Sequence, residues 1–111
     1  MADGIIYHAA TKDELAKVVH DFGVAARKCK LAGCDGVQIH AAHGFLLTTF
    51  LSPHFNKRAD EYGGPIENRS RLLFEIYDSV RNAVGVDYPI ALKLSFSDLV
   101  SDSSTPEEML W

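Results

Sequence analysis

The chain has 111 residues, 47% of them hydrophobic, and a formal net charge of −4, which is material for one domain with a modest core. The mild acidity and the lack of a basic cluster argue against a nucleic-acid partner. No apolar run reaches membrane length and the N-terminus has no signal-peptide pattern, so the expectation is a cytoplasmic protein with no membrane partner.

Residues 1–10 read as a leader, with Gly4-Ile5-Ile6-Tyr7 a short strand or an apolar lead-in. Thr11-Lys12-Asp13-Glu14 has the side chains of a capping box and opens a helix near 11–32. Leu15, Val18, Val19, Phe22, Ala26 and Cys29 recur at helical spacing on one face. Gly33 stands where a helix commonly turns left-handed and stops. Cys29 and Cys34 flank that end and read as buried free thiols, because a disulfide over so short a spacing needs favourable geometry. Reduced thiols agree with a cytosolic setting.

Gly36 to His40 reads as a strand, with Val37 and Ile39 on one face and Gln38 and His40 on the other. A long loop follows, as far as Gly63-Gly64-Pro65. Loops of this length are usually functional or disordered. Phe45, Leu46, Leu47, Phe50 and Leu51 seek burial and argue against disorder. Gly64-Pro65 starts a second helix near 65–84, with proline at its first position. Leu72, Leu73, Ile76, Tyr77, Val80 and Val84 form its apolar stripe, and Gly85 ends it. Pro89 to Ser95 is the second strand. Ile90, Leu92 and Leu94 face one way, and Ala91, Lys93 and Ser95 the other. A lysine on the inner face of a strand is costly unless it meets a partner or a ligand. Thr105-Pro106-Glu107-Glu108 is a second capping box and starts a third helix, which the chain leaves at Trp111.

Helices alternating with strands imply βα units and a parallel pair joined by a helical crossover. A strand whose polar residues converge on its C-terminal end suits an α/β barrel, where the inward tips line the active site.

His40 and His43 lie three residues apart at the end of the first strand. Three readings stand for them. They are satisfied by backbone carbonyls, or they donate together to one substrate oxygen and stabilise its developing negative charge, or they bind a metal, for which two ligands are too few. Arg58, Asp60, Glu67 and Arg69 read as ion pairs that brace the loop.

The run IHAAHGFLLTTFLSPHFNKRADEYGGPIENRSRL closely resembles the signature of the Old Yellow Enzyme family, the FMN-dependent NADH:flavin oxidoreductases. The match extends through AARKCKLAGCDGVQIH upstream and VRNAVGVDYPIALKLS downstream, covering roughly residues 11 to 98. The resemblance implies an α/β fold in which this chain is a segment of a TIM (β/α)8 barrel, about two βα units from its middle. Residues 11–111 would then be a partial NADH:flavin oxidoreductase domain truncated at both ends, without the barrel's usual phosphate-binding loops. By the same resemblance, hydride passes from NAD(P)H through FMN to an activated alkene or similar small electrophile. The histidine pair that binds the substrate oxygen falls on His40 and His43. The usual arginine near the flavin falls on Lys93, which keeps the positive charge but loses the two-pronged donor. The usual tyrosine proton donor falls on Phe45, which has no hydroxyl to give. No metal is implied. The alternative is a non-catalytic remnant that folds only by association with itself, another chain or the remainder of the barrel.

Overall fold

A computed structural model describes residues 8–110. The Gly4–Tyr7 strand or lead-in and the chain's last residue, Trp111, lie outside the described residues.

Helix α1 runs Lys12–Leu31, and its capping box is formed in both directions: the Thr11 hydroxyl accepts from the Glu14 N–H and the Glu14 carboxylate accepts from the Thr11 N–H. Strand β1 is Val37–Ala41 and strand β2 is Ile90–Leu94. They pair in parallel, with Ile39 opposite Leu92 and His40 opposite Lys93, as the crossover requires. Between them lie α2 (Leu46–Leu51), α3 (Ile66–Arg69) and α4 (Arg71–Val84), and α5 (Pro106–Met109) follows β2.

Burial of the apolar stripes holds this arrangement together. Leu15 and Ala26 of α1 pack with Leu72, Ile76, Val80 and Val84 of α4 and with Ile39 and Ala41 of β1. Each fully buried leucine or isoleucine here contributes about 1.5–3 kcal/mol relative to exposure. At Gly23 the two helices approach so closely that a Cβ would meet the Ser79 hydroxyl at 2.5 Å.

Four local expectations are corrected. The 41–64 connection is not all loop: α2 forms within it, and Leu47, Phe50 and Leu51 are buried. Its six residues include two adjacent threonines and have no side-chain cap, so propensity is weak and packing supplies the stability. The 65–84 helix is interrupted at Ser70, and Pro65 is its extended cap residue instead of its first helical one. Hydrogen bonding runs on across the break, from the Ser70 N–H to Ile66 O (2.8 Å) and from the Phe74 N–H to Ser70 O (3.1 Å). Tyr77 is exposed, with the Arg81 guanidinium 5.7 Å over its ring. Cys34 is exposed and Cys29 half-buried, so the thiols are free but not sealed in.

The outer face of β2 stays open. Ile90, Leu92 and Leu94, with Leu73, Phe74 and Tyr77 of α4, line an apolar groove of about 410 Å³.

Candidate active site

The C-terminal end of β1 delivers His40 from the strand and His43 from the turn after it. Their rings meet edge to face with centroids 5.3 Å apart. Phe45, the residue before α2, brings its ring centroid to 5.2 Å from that of His40. Lys93 stands opposite His40 in the ladder, so both side chains leave the same face of the sheet. The four residues singled out in the sequence are thus gathered at one end of one face. Lys93, His43 and Phe45 are exposed there and His40 is half-buried.

Local backbone chemistry fixes the turn. His43 has φ +61°, a left-handed conformation uncommon for a residue with a side chain. Its N–H donates to the Ser95 hydroxyl at 3.0 Å, and the Ser95 N–H donates to Ala41 O at 3.4 Å. Ser95 lies two residues beyond Lys93 on the same side of β2. It holds the histidine turn against the neighbouring strand. Its alternation with Lys93 was visible in the sequence, but nothing local signals a partner 52 positions away.

Neither imidazole of the pair makes a side-chain hydrogen bond within the described residues, so backbone carbonyls do not satisfy them. No group of three or more His, Cys, Asp or Glu side chains among the described residues is placed to hold a metal ion. The same residues contain no helix long and apolar enough to cross a membrane.

The rest of the loop is a scaffold of polar bonds. Buried Asn56 donates to Phe50 O and Tyr62 O, both at 2.7 Å, and its amide oxygen accepts from the Arg58 N–H. Arg58 grips Asp60 with two bonds of 3.0 and 2.6 Å, reaches Ala10 O with a third, and draws the Asp60 pKa down to about 2. A Cβ on Gly63 would run into the Arg58 carbonyl, so the corner admits only glycine. Arg69 does not pair with Glu67. It is 5% exposed and donates to Leu51 O, Gly64 O and the carboxylate of Glu108 on α5. That contact holds the Glu108 carboxyl below its ordinary range. His54 and Asp102, 2.5 Å apart, join the segment after α2 to the one after β2, and the His54 hydrogen bond lowers the Asp102 pKa.

The profile of the NADH:flavin oxidoreductase / NADH oxidase family matches residues 2–110. "Enoate reductase 1" of Kluyveromyces lactis is 54% identical over 80 residues, which are 72% of this chain and 20% of that protein. "NADPH dehydrogenase" of Clostridium acetobutylicum is 44% identical over 101 residues, 90% of this chain and 30% of that one. Among solved structures, a 2-naphthoyl-CoA reductase complexed with 2-naphthoyl-CoA superposes with a TM-score of 0.89 at 38% identity, covering 97% of this chain and 17% of that chain. The chain therefore spans between about a sixth and a third of the proteins it matches. Its two βα units are a segment of a TIM barrel.

Proposed function

The chain belongs to the NADH:flavin oxidoreductase / NADH oxidase family, and from that membership we propose that it is the substrate-oxygen-binding segment of an FMN-dependent oxidoreductase acting on an activated alkene or similar electrophile. Residues 11–111 act as part of one barrel domain, with residues 1–10 leading into it. The observation that carries the reading is the pair of adjacent imidazoles, unpaired within the described residues, at the C-terminal end of β1. Two N–H donors converging on one oxygen stabilise the charge that collects there as the alkene is reduced.

The residues present fit a flavin. Lys93 is exposed on the histidine face with no ion-pair partner among the described residues, and it offers a cation to an electron-rich ring edge. When bound, FMN supplies hydride taken from NAD(P)H. The chain's own work is binding and orientation. His40 and His43 hold the substrate oxygen, Ser95 keeps His43 in its turn, and Phe45 walls the site without offering a proton. In a barrel completed around this segment, His40→Ala is expected to weaken a phenolic ligand about tenfold or more, the worth of one charge-assisted hydrogen bond. Unchanged affinity in both His40→Ala and His43→Ala would refute the assignment.

A second reading has one observation in its favour. The open groove along Leu92 and Leu94 exposes apolar surface that association would cover. In that reading the chain is non-catalytic and folds by joining itself or another chain. Flavin absorbance and oligomeric state of the purified chain separate the two, since a tight stoichiometric yellow complex excludes the non-catalytic reading.

A further inference from the structure

Helix α1 ends in a turn that brings its last cysteine back over the helix. Ala32 is the C-cap, Gly33 follows with φ +88°, the Gly33 N–H bonds Lys30 O and the Cys34 N–H bonds Cys29 O, each at 3.1 Å. These are the two bonds of a Schellman motif, in which the side chains three residues before the cap and two after it meet. Here both are cysteines. The hydrogen bond between them limits their α-carbons to about 7 Å apart, the outer bound for a disulfide. Tyr88 steadies the same turn, its hydroxyl donating to Cys34 O at 2.7 Å.

We propose that Cys29 and Cys34 form a reversible dithiol–disulfide site that closes by exchange with a low-molecular-weight disulfide such as oxidised glutathione. Cys34 is exposed and attacks first, while half-buried Cys29 resolves. The Cys34 thiolate attacks one glutathione sulfur, forms a mixed disulfide and expels one glutathione thiolate. The Cys29 thiolate then attacks the Cys34 sulfur and expels the second glutathione. The two thiol protons pass to the two glutathiones, the cysteines lose two electrons, and glutathione disulfide gains them. The closed form ties the end of α1 to the turn that launches β1.

The test equilibrates the 111-residue chain with glutathione buffers of graded ratio, under conditions where its helical circular dichroism is present. An acid quench, alkylation and mass spectrometry then give the effective molarity of the pair. The same measurement is made in concentrated urea. The expected result is a monomeric product that has lost two hydrogens and resists alkylation. Its effective molarity in the folded chain should exceed the urea value by about tenfold or more, since the turn holds the thiols together. Gly33→Val, which opposes the left-handed turn, should bring the folded value toward that in urea. Three results would overturn the proposal: glutathione retained on Cys34 with Cys29 still alkylated, disulfides between chains, or equal effective molarity with and without urea. If Gly33→Val does not fold, the comparison on the unaltered chain still decides.

Discussion

Replacing Arg69 with methionine keeps most of the volume of the side-chain stem and removes the guanidinium. Three acceptors then lose a donor: Leu51 O (2.7 Å), Gly64 O (2.8 Å) and Glu108 Oε1 (2.8 Å). Their losses are unequal. Leu51 O keeps the Ser104 hydroxyl at 3.2 Å. Gly64 is exposed and the Glu108 side chain is 31% exposed, so both regain water. Hydrogen bonds to charged groups contribute about 1.5–3 kcal/mol each, and rehydration with the retained Ser104 bond brings the total below their simple sum, to about 3 kcal/mol, the low end for breaking a buried charge pair. Arg69→Lys should cost nearly as much, because one ammonium cannot serve three acceptors in a fixed fork. Glu108→Gln should cost only about 1 kcal/mol, since that carboxylate is partly solvated. Urea denaturation gives these differences, and hydrogen exchange at the α5 amides localises them. An Arg69→Met chain within about 0.5 kcal/mol of the parent, the range of ordinary surface substitutions, with α5 exchange unchanged, would refute the account of Arg69 as the joint between loop and helix.

Ser95→Ala removes the acceptor of the His43 N–H and should cost about 1 kcal/mol with faster exchange of that amide, whereas Ser95→Thr should preserve both. Asp60 has its folded pKa depressed to about 2 from 3.8, so its stabilisation is complete above pH ~4 and is lost as pH falls toward 2, amounting to about 1–2 kcal/mol after screening. The stabilities of the parent and of Asp60→Asn should therefore stand apart by that amount above pH ~4 and converge as pH falls toward 2, which acid titration of both checks. In a completed barrel, Phe45→Tyr should raise the rate of net alkene reduction, up to the ~10²–10⁴-fold that a positioned general acid contributes, and leave flavin reduction by NAD(P)H unchanged. Stopped-flow measurement of the two half-reactions checks this, and an unaltered oxidative half-reaction would show that protonation at this position does not limit the rate.

What the sequence made legible is what local rules control. Thr11 with Glu14 and Thr105 with Glu108 announce their helix starts, and both capping boxes form. The alternation of Val37 to His40 and of Ile90 to Ser95 gives the faces of both strands, and their parallel pairing follows from the crossover. The gathering of His40, His43 and Phe45 was readable because a strand end and its turn are contiguous. Contacts across long separations were not readable. Arg69 stands two residues from Glu67, yet its partner is Glu108, 39 positions on, because the folded-back α5 offers a carboxylate beside a buried guanidinium. Helix α2 was hidden for a different reason. Leu46-Leu47-Thr48-Thr49-Phe50-Leu51 has no cap, and six residues are too few to display a period. Tyr77 follows the apolar spacing of α4 but is exposed, since the pattern marks a face without saying what covers it.

The pairing of His40 with Lys93 makes the backbone ladder a ruler. Neighbouring strands stand about 4.8 Å apart whatever side chains they carry, so the step from His40 to Lys93 is set by main-chain hydrogen bonding. Evolution can change residues around that interval without resetting it. A single inserted residue in the 85–89 turn that shifted β2 by one place would instead send Lys93 to the opposite face of the sheet. The short approach to β2 is therefore held to a count, because its length decides which face of the sheet carries the cation.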